Sequence, residues 1–365
     1  MAVLEVVEVR GREQLRQFLD LPGAIYPLDS RWVAPLRLHV RSMMGRLTGP
    51  DRGYWLALYR GWPVARLGAR LHHYRDQEAI HFGFLECRRE HPEALRLLVQ
   101  AAHGLAPALA MRGPYHFTQE DPYPGVLVDG FQENPSLMMS YNPRYYAEYL
   151  EQAGLRPLAD LYSYELVRGK IRMDLMEGRA RRAREQGVAV RTMDPWGRLA
   201  DMRRIIAMAN RTHADNRGFE EYAGHQALEL LLMGILLLDP GCVFLAFQED
   251  RPAGFVVIVP DVNPLLKPSR GRFGPALILR LLFGRKSIDR YRAYGMGVLA
   301  ENRNSGVAAA LVQAVMEAFQ SSRYHAVPVV EVAWTLADNR PMNAMVVALG
   351  GRRCKVHRVY EQAAT

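Results

Sequence analysis

Residues 294–313 read YGMGVLAENRNSGVAAALVQ. Their apolar beginning, ending at Leu299-Ala300, predicts a strand over 291–299. Residues 301–306, Glu-Asn-Arg-Asn-Ser-Gly, form a loop, and Val307 opens a helix of small residues predicted over 307–320. Arg303, Gly306 and Ala308 are spaced as a diphosphate cradle requires. N–H groups at a helix start point outward, where the helix dipole favours an anion. Gly306 and Ala308 lack bulk, so phosphate oxygens can approach the backbone, and Arg303 adds charge-assisted bonds. The same stretch spells Gly295-x-Gly297-x-x-Ala300, a dinucleotide fingerprint on paper. That motif must open a helix. Here Asn302, Asn304, Ser305 and Gly306 would fall in its interior, where all four are poor formers. Both glycines are therefore assigned to the strand, where a bulge or a close backbone approach is expected.

The reading extends outward in both directions. Downstream, 329–336 predicts a strand ending towards Asn339, 341–349 a helix running into Gly350-Gly351, and 353–360 a last strand. Upstream, 243–248 and 253–259 predict a hairpin, 225–238 an apolar helix, 195–210 a helix, 188–193 a strand and 170–187 a basic helix. The first half predicts strands at 54–59, 63–71, 80–87, 115–119 and 161–167, with helices at 92–111 and 145–153. Strands and helices thus mix as α/β throughout. Both halves run strand–strand–strand–helix–strand, so the chain reads as a duplicated fold divided near Gly169, into 1–168 and 169–365.

Strand, phosphate loop, helix, Asn-ending strand, helix and Leu-Gly in this order resemble the GNAT acyltransferase superfamily. Arg303, Gly306, Ala308 and Asn339 stand at its motif positions. Strings at 29–36, 113–114, 127–131, 139–146, 260–263, 331–334, 338–339 and 355–361 extend the resemblance to the bacterial ceramide synthase-like subgroup of tandem GNAT proteins. The resemblance implies two mixed-sheet GNAT-like domains. It also implies acyl-CoA as co-substrate and two splayed strands, 292–299 and 329–336, whose gap receives the pantetheine. Val298, Leu299, Arg303, Asn304, Ser305, Gly306, Val307, Ala308 and Asn339 would then contact CoA. The subgroup implies an amine acceptor of the long-chain, sphingoid type. Acetylation of a small amine or peptide, and a non-catalytic acyl-CoA or lipid binder, remain the alternatives. Two departures bear on this. The tyrosine that many such enzymes carry after the Asn-ending strand falls here near Val346. The first half has Arg88-Arg89-Glu90-His91-Pro92 in place of a phosphate loop, which cannot present the same N–H nest.

Acyl transfer to an amine needs a neutral nucleophile, hence a proton acceptor. Glu331, on the strand beside the expected thioester, and Asp261, just after an apolar strand, are the candidate bases. Tyr294 and Tyr360 are candidate proton donors, and His213 follows a helix that can reach a cleft. The strand N–H groups near Val298 and Leu299 are the candidate polarisers of the acyl carbonyl.

Composition sets the remaining bounds. The 365 residues carry a formal charge of +9, yet only four of 47 basic residues are lysine. Zinc-finger spacing, RNA-binding aromatic motifs and isolated basic arms are missing, so nucleic acid is not the expected partner. The histidines lack ligand spacing, so no metal is expected. Cys87, Cys242 and Cys354 are too dispersed for a disulfide framework, which points to a reducing cytoplasm. Segment 261–290 has seven basic residues against two acidic ones around the apolar run FGPALILRLLF. Such a segment suits an acyl-channel wall or peripheral contact with the inner membrane face.

Overall fold

The computed structural model describes residues 4–45, 47–74, 77–116, 123–214, 221–222, 224, 227–228, 238–321, 324 and 327–364. Almost all of the expected helix at 225–238, and most of the expected strand at 115–119, lie outside the described residues. The strands in chain order are β1 (Leu4–Glu8), β2 (Arg52–Tyr59), β3 (Trp62–Tyr74), β4 (Gln77–Cys87), β5 (Met111–Gly113), β6 (Val126–Asp129) and β7 (Arg156–Val167). They continue with β8 (Val188–Thr192), β9 (Val243–Gln248), β10 (Arg251–Pro260), β11 (Arg290–Val298), β12 (Val329–Leu336) and β13 (Arg352–Gln362). The chain divides into two compact units. One comprises Met1–Leu161, Val262–Arg285 and Lys355–Thr365; the other comprises Tyr162–Asp261 and Lys286–Cys354.

In the first unit β1 to β4 form an antiparallel meander. Its β2–β3 hairpin turns on Arg60 and Gly61, both at positive φ (52° and 77°), as a two-residue turn matched to strand twist demands. β5 joins β4 in parallel through Ile80–Met111 and His81–Arg112, and the end of β13 flanks β5 antiparallel. Helix Pro92–His103 starts on its proline and buries Ala94, Leu95, Leu98, Val99 and Ala102, one apolar face at helical spacing. It stops well before residue 111, because Gly104 and Pro107 follow. Residues 262–285 complete this unit: the Arg37 amide donates to the Gly271 carbonyl (2.9 Å), and Asn263 Nδ2 to the Pro135 carbonyl (2.8 Å). The compact units therefore interleave along the chain, whereas the sequence suggested one cut at 168/169. The contacts responsible join residues more than a hundred positions apart, which no local pattern reports.

In the second unit β8, β9, β10 and β11 pair antiparallel in sequence order of neighbours, and β12 lies parallel to β11. A parallel pair requires a crossover, and helix Val307–Gln320 supplies it. Val307, Ala310 and Leu311 face Val256 and Ile258 of β10 in one apolar cluster. Helix Asp174–Glu185 packs on the same crossover helix through Ala183. Asp201, on helix Arg198–Thr212, is 1% exposed and is gripped by Arg191 (2.7 and 2.8 Å) and Arg204 (2.8 Å). No helix among the described residues is long and apolar enough to cross a membrane.

Candidate active site

The second unit carries an opening between two parallel strands. β11 and β12 pair in register through Arg290–Val329, Tyr291–Val330, Arg292–Glu331 and Ala293–Val332, where the registered pairing ends. Both strands run on, β11 to Val298 and β12 to Leu336. On its other edge β11 stays paired with β10, but the register slips: Val257 faces Gly295 and Ile258 faces Ala293, so Tyr294 is the extra residue of a bulge. A bulge bends and twists its strand, and here it stands where β11 leaves β12. Gly297 is needed further along, because a Cβ there would lie 2.5 Å from Thr212 Oγ1 and 2.6 Å from Phe255 Cε1. Both glycines of the spurious dinucleotide pattern thus lie inside a strand.

Beyond the opening, β11 ends in the loop that the sequence singled out. A short 3-10 turn spans Ala300–Asn302, and helix Val307–Gln320 is capped by Gly306 at φ +78°. Only glycine adopts that conformation without strain. First-turn amides of a helix have no acceptor within it, and the first turn here is Val-Ala-Ala with no acid. Arg303 and Asn304 are exposed, Ser305, Gly306 and Ala308 half-buried, and Val307 buried. Glu301, the loop's one acid, is paired with Arg211 at 2.7 Å, and Arg303 has no acidic partner among the described residues. These features fit a diphosphate seat for CoA. One expected donor is already engaged: the Leu299 amide donates to the Ala253 carbonyl (3.0 Å), so it is not available to an acyl carbonyl.

At the closed end of the opening sits a buried cluster of charges. Glu331 is fully buried and Asp261 is 5% exposed. Arg290 Nη1 reaches Glu331 Oε2 (3.2 Å) and Glu165 Oε1 (2.6 Å), and its carbonyl accepts from the Asp261 amide (2.9 Å). Arg352 grips the second oxygen of Glu165 at 2.5 Å, and Arg292, 4% exposed, donates from Nε to the Ala333 carbonyl (3.2 Å). Burial alone pulls the Arg290 pKa down, but Glu165, Glu331 and Asp261 outweigh it and hold the guanidinium above the usual arginine value. The same balance, burial against Arg290 and Arg352, leaves Glu165 below the ordinary carboxylate range. The Arg292 guanidinium lies over the Tyr294 ring, 5.1 Å from its centre. Glu331 and Asp261 therefore both lie about Arg290, and Tyr294 stands further along β11, beneath Arg292. The sequence reading missed Glu165, Arg290, Arg292 and Arg352; the one signal was a strand opening Arg-Tyr-Arg at 290–292, and Glu165 and Arg352 had none.

The other candidates scatter. Asn339 caps helix Arg340–Ala348, its Oδ1 accepting from the Met342 amide (3.3 Å). Val346, at the expected tyrosine position, is 2% exposed and is a core residue. His213 ends helix Arg198–Thr212, with Nε2 3.5 Å from the Met296 carbonyl on β11. Tyr360 is fully buried in the first unit's core, where its hydroxyl bonds Glu151 (3.2 Å) and burial pushes its pKa up to about 12.

In the first unit the matching strand end is filled from within. The Cys87 amide donates to the Tyr146 hydroxyl (2.9 Å), which itself donates to Glu86 Oε2 (2.7 Å). The Tyr145 and Tyr149 hydroxyls donate to the carbonyls of Cys87 (2.9 Å) and Arg89 (2.5 Å). The Cys87 amide and the Cys87 and Arg89 carbonyls at the end of β4 are thereby bonded to tyrosines from 145–149.

Comparison with known proteins agrees with this geometry. The family described as Acetyltransferase (GNAT) family matches residues 208–350. The bacterial ceramide synthase of Caulobacter vibrioides (strain NA1000 / CB15N) is 25% identical over 384 aligned residues, covering 99% of this chain and 98% of its own. A tandem GNAT protein from the clavulanic acid biosynthesis pathway superposes with a TM-score of 0.53 at 16% identity, over 100% of this chain and 99% of that one. The glucosamine N-acetyltransferase region of a fungal multi-domain beta-N-acetylglucosaminidase gives a TM-score of 0.60 at 13% identity, over 99% of this chain; the match spans 38% of that longer chain. These likenesses establish the fold from end to end. Together with the strand opening and the loop before helix Val307–Gln320, they agree with an acyltransferase: residues 208–350 match the GNAT acetyltransferase family, and the whole chain has the fold of a tandem GNAT protein.

Proposed function

We propose that the chain transfers an acyl group from acyl-CoA to the nitrogen of a long-chain amine. The observation that carries this reading is the β11–β12 opening. It has the Gly306 loop at one end and the buried Glu331, Asp261 and Arg290 group at the other. CoA would lie with its diphosphate on the amides of 306–308 beside Arg303, and its pantetheine would enter the opening. Val298, Ser305 and Asn304 flank that path. Asn339 acts there chiefly by capping its helix.

An ammonium has no lone pair, so the acceptor must lose a proton before or during attack. Glu331 or Asp261 takes it, and Arg290 balances the charge of whichever carboxylate is free of it. Collapse of the tetrahedral adduct breaks the carbon–sulfur bond, and the leaving thiolate needs a proton. Val346 cannot supply one; Tyr294, at the bulge where β11 leaves β12, is the phenol assigned to it in this reading.

A lipid-like acceptor is supported by helix Pro275–Phe283 of the first unit. Only Leu277 of this helix is buried, while Leu279, Leu282 and Phe283 are 55%, 64% and 77% exposed. Arg272 and Arg280 accompany them. Apolar side chains with arginines at this density suit a membrane interface, so peripheral contact through 261–290 belongs to the reading. The relative named a ceramide synthase agrees with it.

The test is thiol release from acyl-CoAs of two to sixteen carbons, offered with sphinganine in vesicles or with soluble amines and peptides. Turnover confined to the long-chain amine is expected. Saturable turnover only with acetyl-CoA and a soluble acceptor would replace the substrate assignment. CoA binding without thiol release under any acceptor would make the chain a binder.

A further inference from the structure

The first unit contains a cavity of about 460 Å³ that the acyl-transfer reading does not use. That size suits a small organic ligand. Arg88, Arg89 and Arg144 reach its wall against the one carboxylate of Glu90. Arg88 Nε is buried and finds no acceptor among the described residues. Four aromatic residues, Tyr26, Phe131, Tyr141 and Tyr145, line the cavity among smaller ones such as Ala24, Pro27 and Ser30. Tyr26, 8% exposed, stacks on Trp32 with ring centres 4.3 Å apart and planes 8° apart. Phe131 lies under the Arg144 guanidinium, 4.3 Å from ring centre to carbon. Beside the cavity, Glu86 is held by Tyr146 (2.7 Å) and faces Arg66 Nη2 at 3.7 Å. This fixes the tyrosine helix that shapes one side.

We propose that this cavity is a second ligand site, independent of acyl transfer, for an organic anion: a phosphate or carboxylate head on an aromatic or apolar body. The guanidiniums of Arg88, Arg89 and Arg144 take the head, and Tyr26, Phe131 and Tyr145 hold the body. The site is not a second CoA cradle, since tyrosine hydroxyls occupy the backbone groups at the end of β4. In this unit the duplicated fold keeps its cleft but recognises charge by side chains instead of main-chain amides.

The test uses the full chain in calorimetry with phenyl phosphate, 3-phenylpropionate and neutral benzyl alcohol, each with and without saturating CoA. Binding of at least one of the two anions, unaffected by CoA, with benzyl alcohol at least tenfold weaker, is the expected result. Which anion binds identifies the head group. The Arg88→Gln/Arg144→Gln variant should weaken that binding at least tenfold. The proposal fails if neither anion binds, if CoA displaces them, if benzyl alcohol binds equally well, or if the folded variant binds as the wild type does.

Discussion

Replacing Gly306 by alanine tests the loop and its support together. The residue sits at φ +78°, and an added Cβ would lie 2.8 Å from the Cβ of Ala183 on helix Asp174–Glu185. The left-handed conformation costs an L-residue about 1–2 kcal/mol. Ordinary carbon contacts begin near 3.5 Å, so the two helices must separate by several tenths of an ångström, and such overpacking costs about 1–3 kcal/mol. Urea unfolding of Gly306→Ala should therefore show a loss of about 2–5 kcal/mol. Ala183→Gly deletes the opposing methyl, at its own cost of about 1 kcal/mol for glycine in a helix plus a small void. In the double variant the clash is gone and only the backbone strain remains. The two changes should then be less damaging together than their sum by about 1–3 kcal/mol. Strict additivity would refute the packing argument. Titration of CoA into the same proteins tests the function of the loop. The single variant should bind at least tenfold more weakly and the double variant should recover part of that loss. Wild-type affinity in a measurably destabilised Gly306→Ala would mean that the diphosphate sits elsewhere.

Three further predictions concern ionisable groups. Glu331→Gln should slow thiol release about a hundredfold or more while CoA affinity changes little, as expected for a lost proton acceptor; an unchanged rate would pass that role to Asp261. Asp201 is held at a pKa of about 2: burial would raise it, but Arg191, the Asp194 amide and Arg204 outweigh that. Its unfolded form binds a proton first, so this contribution is complete above about pH 4, the ordinary aspartate value, and disappears as the pH falls towards 2. The shift corresponds to roughly 2 kcal/mol. Urea unfolding between pH 5 and pH 2 should show Asp201→Asn losing its disadvantage to wild type over that window; a pH-independent gap would contradict the ion-pair account. Tyr146→Phe removes the acceptor of the Cys87 amide and the donor to Glu86, both buried, and should cost about 2–4 kcal/mol in the same assay.

Local patterns were sufficient for the elements around the site. The loop before Val307 declares itself because glycine, asparagine and serine interrupt two apolar runs, and β12 was legible to its ends at 329–336. The hairpin of β9 and β10 was legible too, since Glu249-Asp250-Arg251-Pro252 break two apolar runs, and the turn falls on Glu249 and Asp250, both at positive φ. Helix Arg12–Ile25 was missed because Pro22 and Gly23 lie inside it, a composition that reads as a break. The charged cluster was legible only in half. Glu331 and Asp261 announce themselves as acids among apolar neighbours. Arg290 and Arg352 do not, because arginine is abundant throughout this chain and only the fold selects which of them meet Glu165. The tyrosines at 145–149 looked like a motif, but their task, bonding the end of β4, required the three-dimensional pairing.

The interleaved layout of the units has a consequence during synthesis. Once residue 161 has left the ribosome, the first unit still lacks segment Val262–Arg285 and the strand residues after Lys355 that flank β5 and β6. At usual elongation rates the last of these emerge about 10–40 s later. The nascent amino-terminal half must wait that long with an unfinished sheet edge, open to wrong partners or in need of a chaperone. Expression of residues 1–168 alone would prolong that vulnerable state indefinitely.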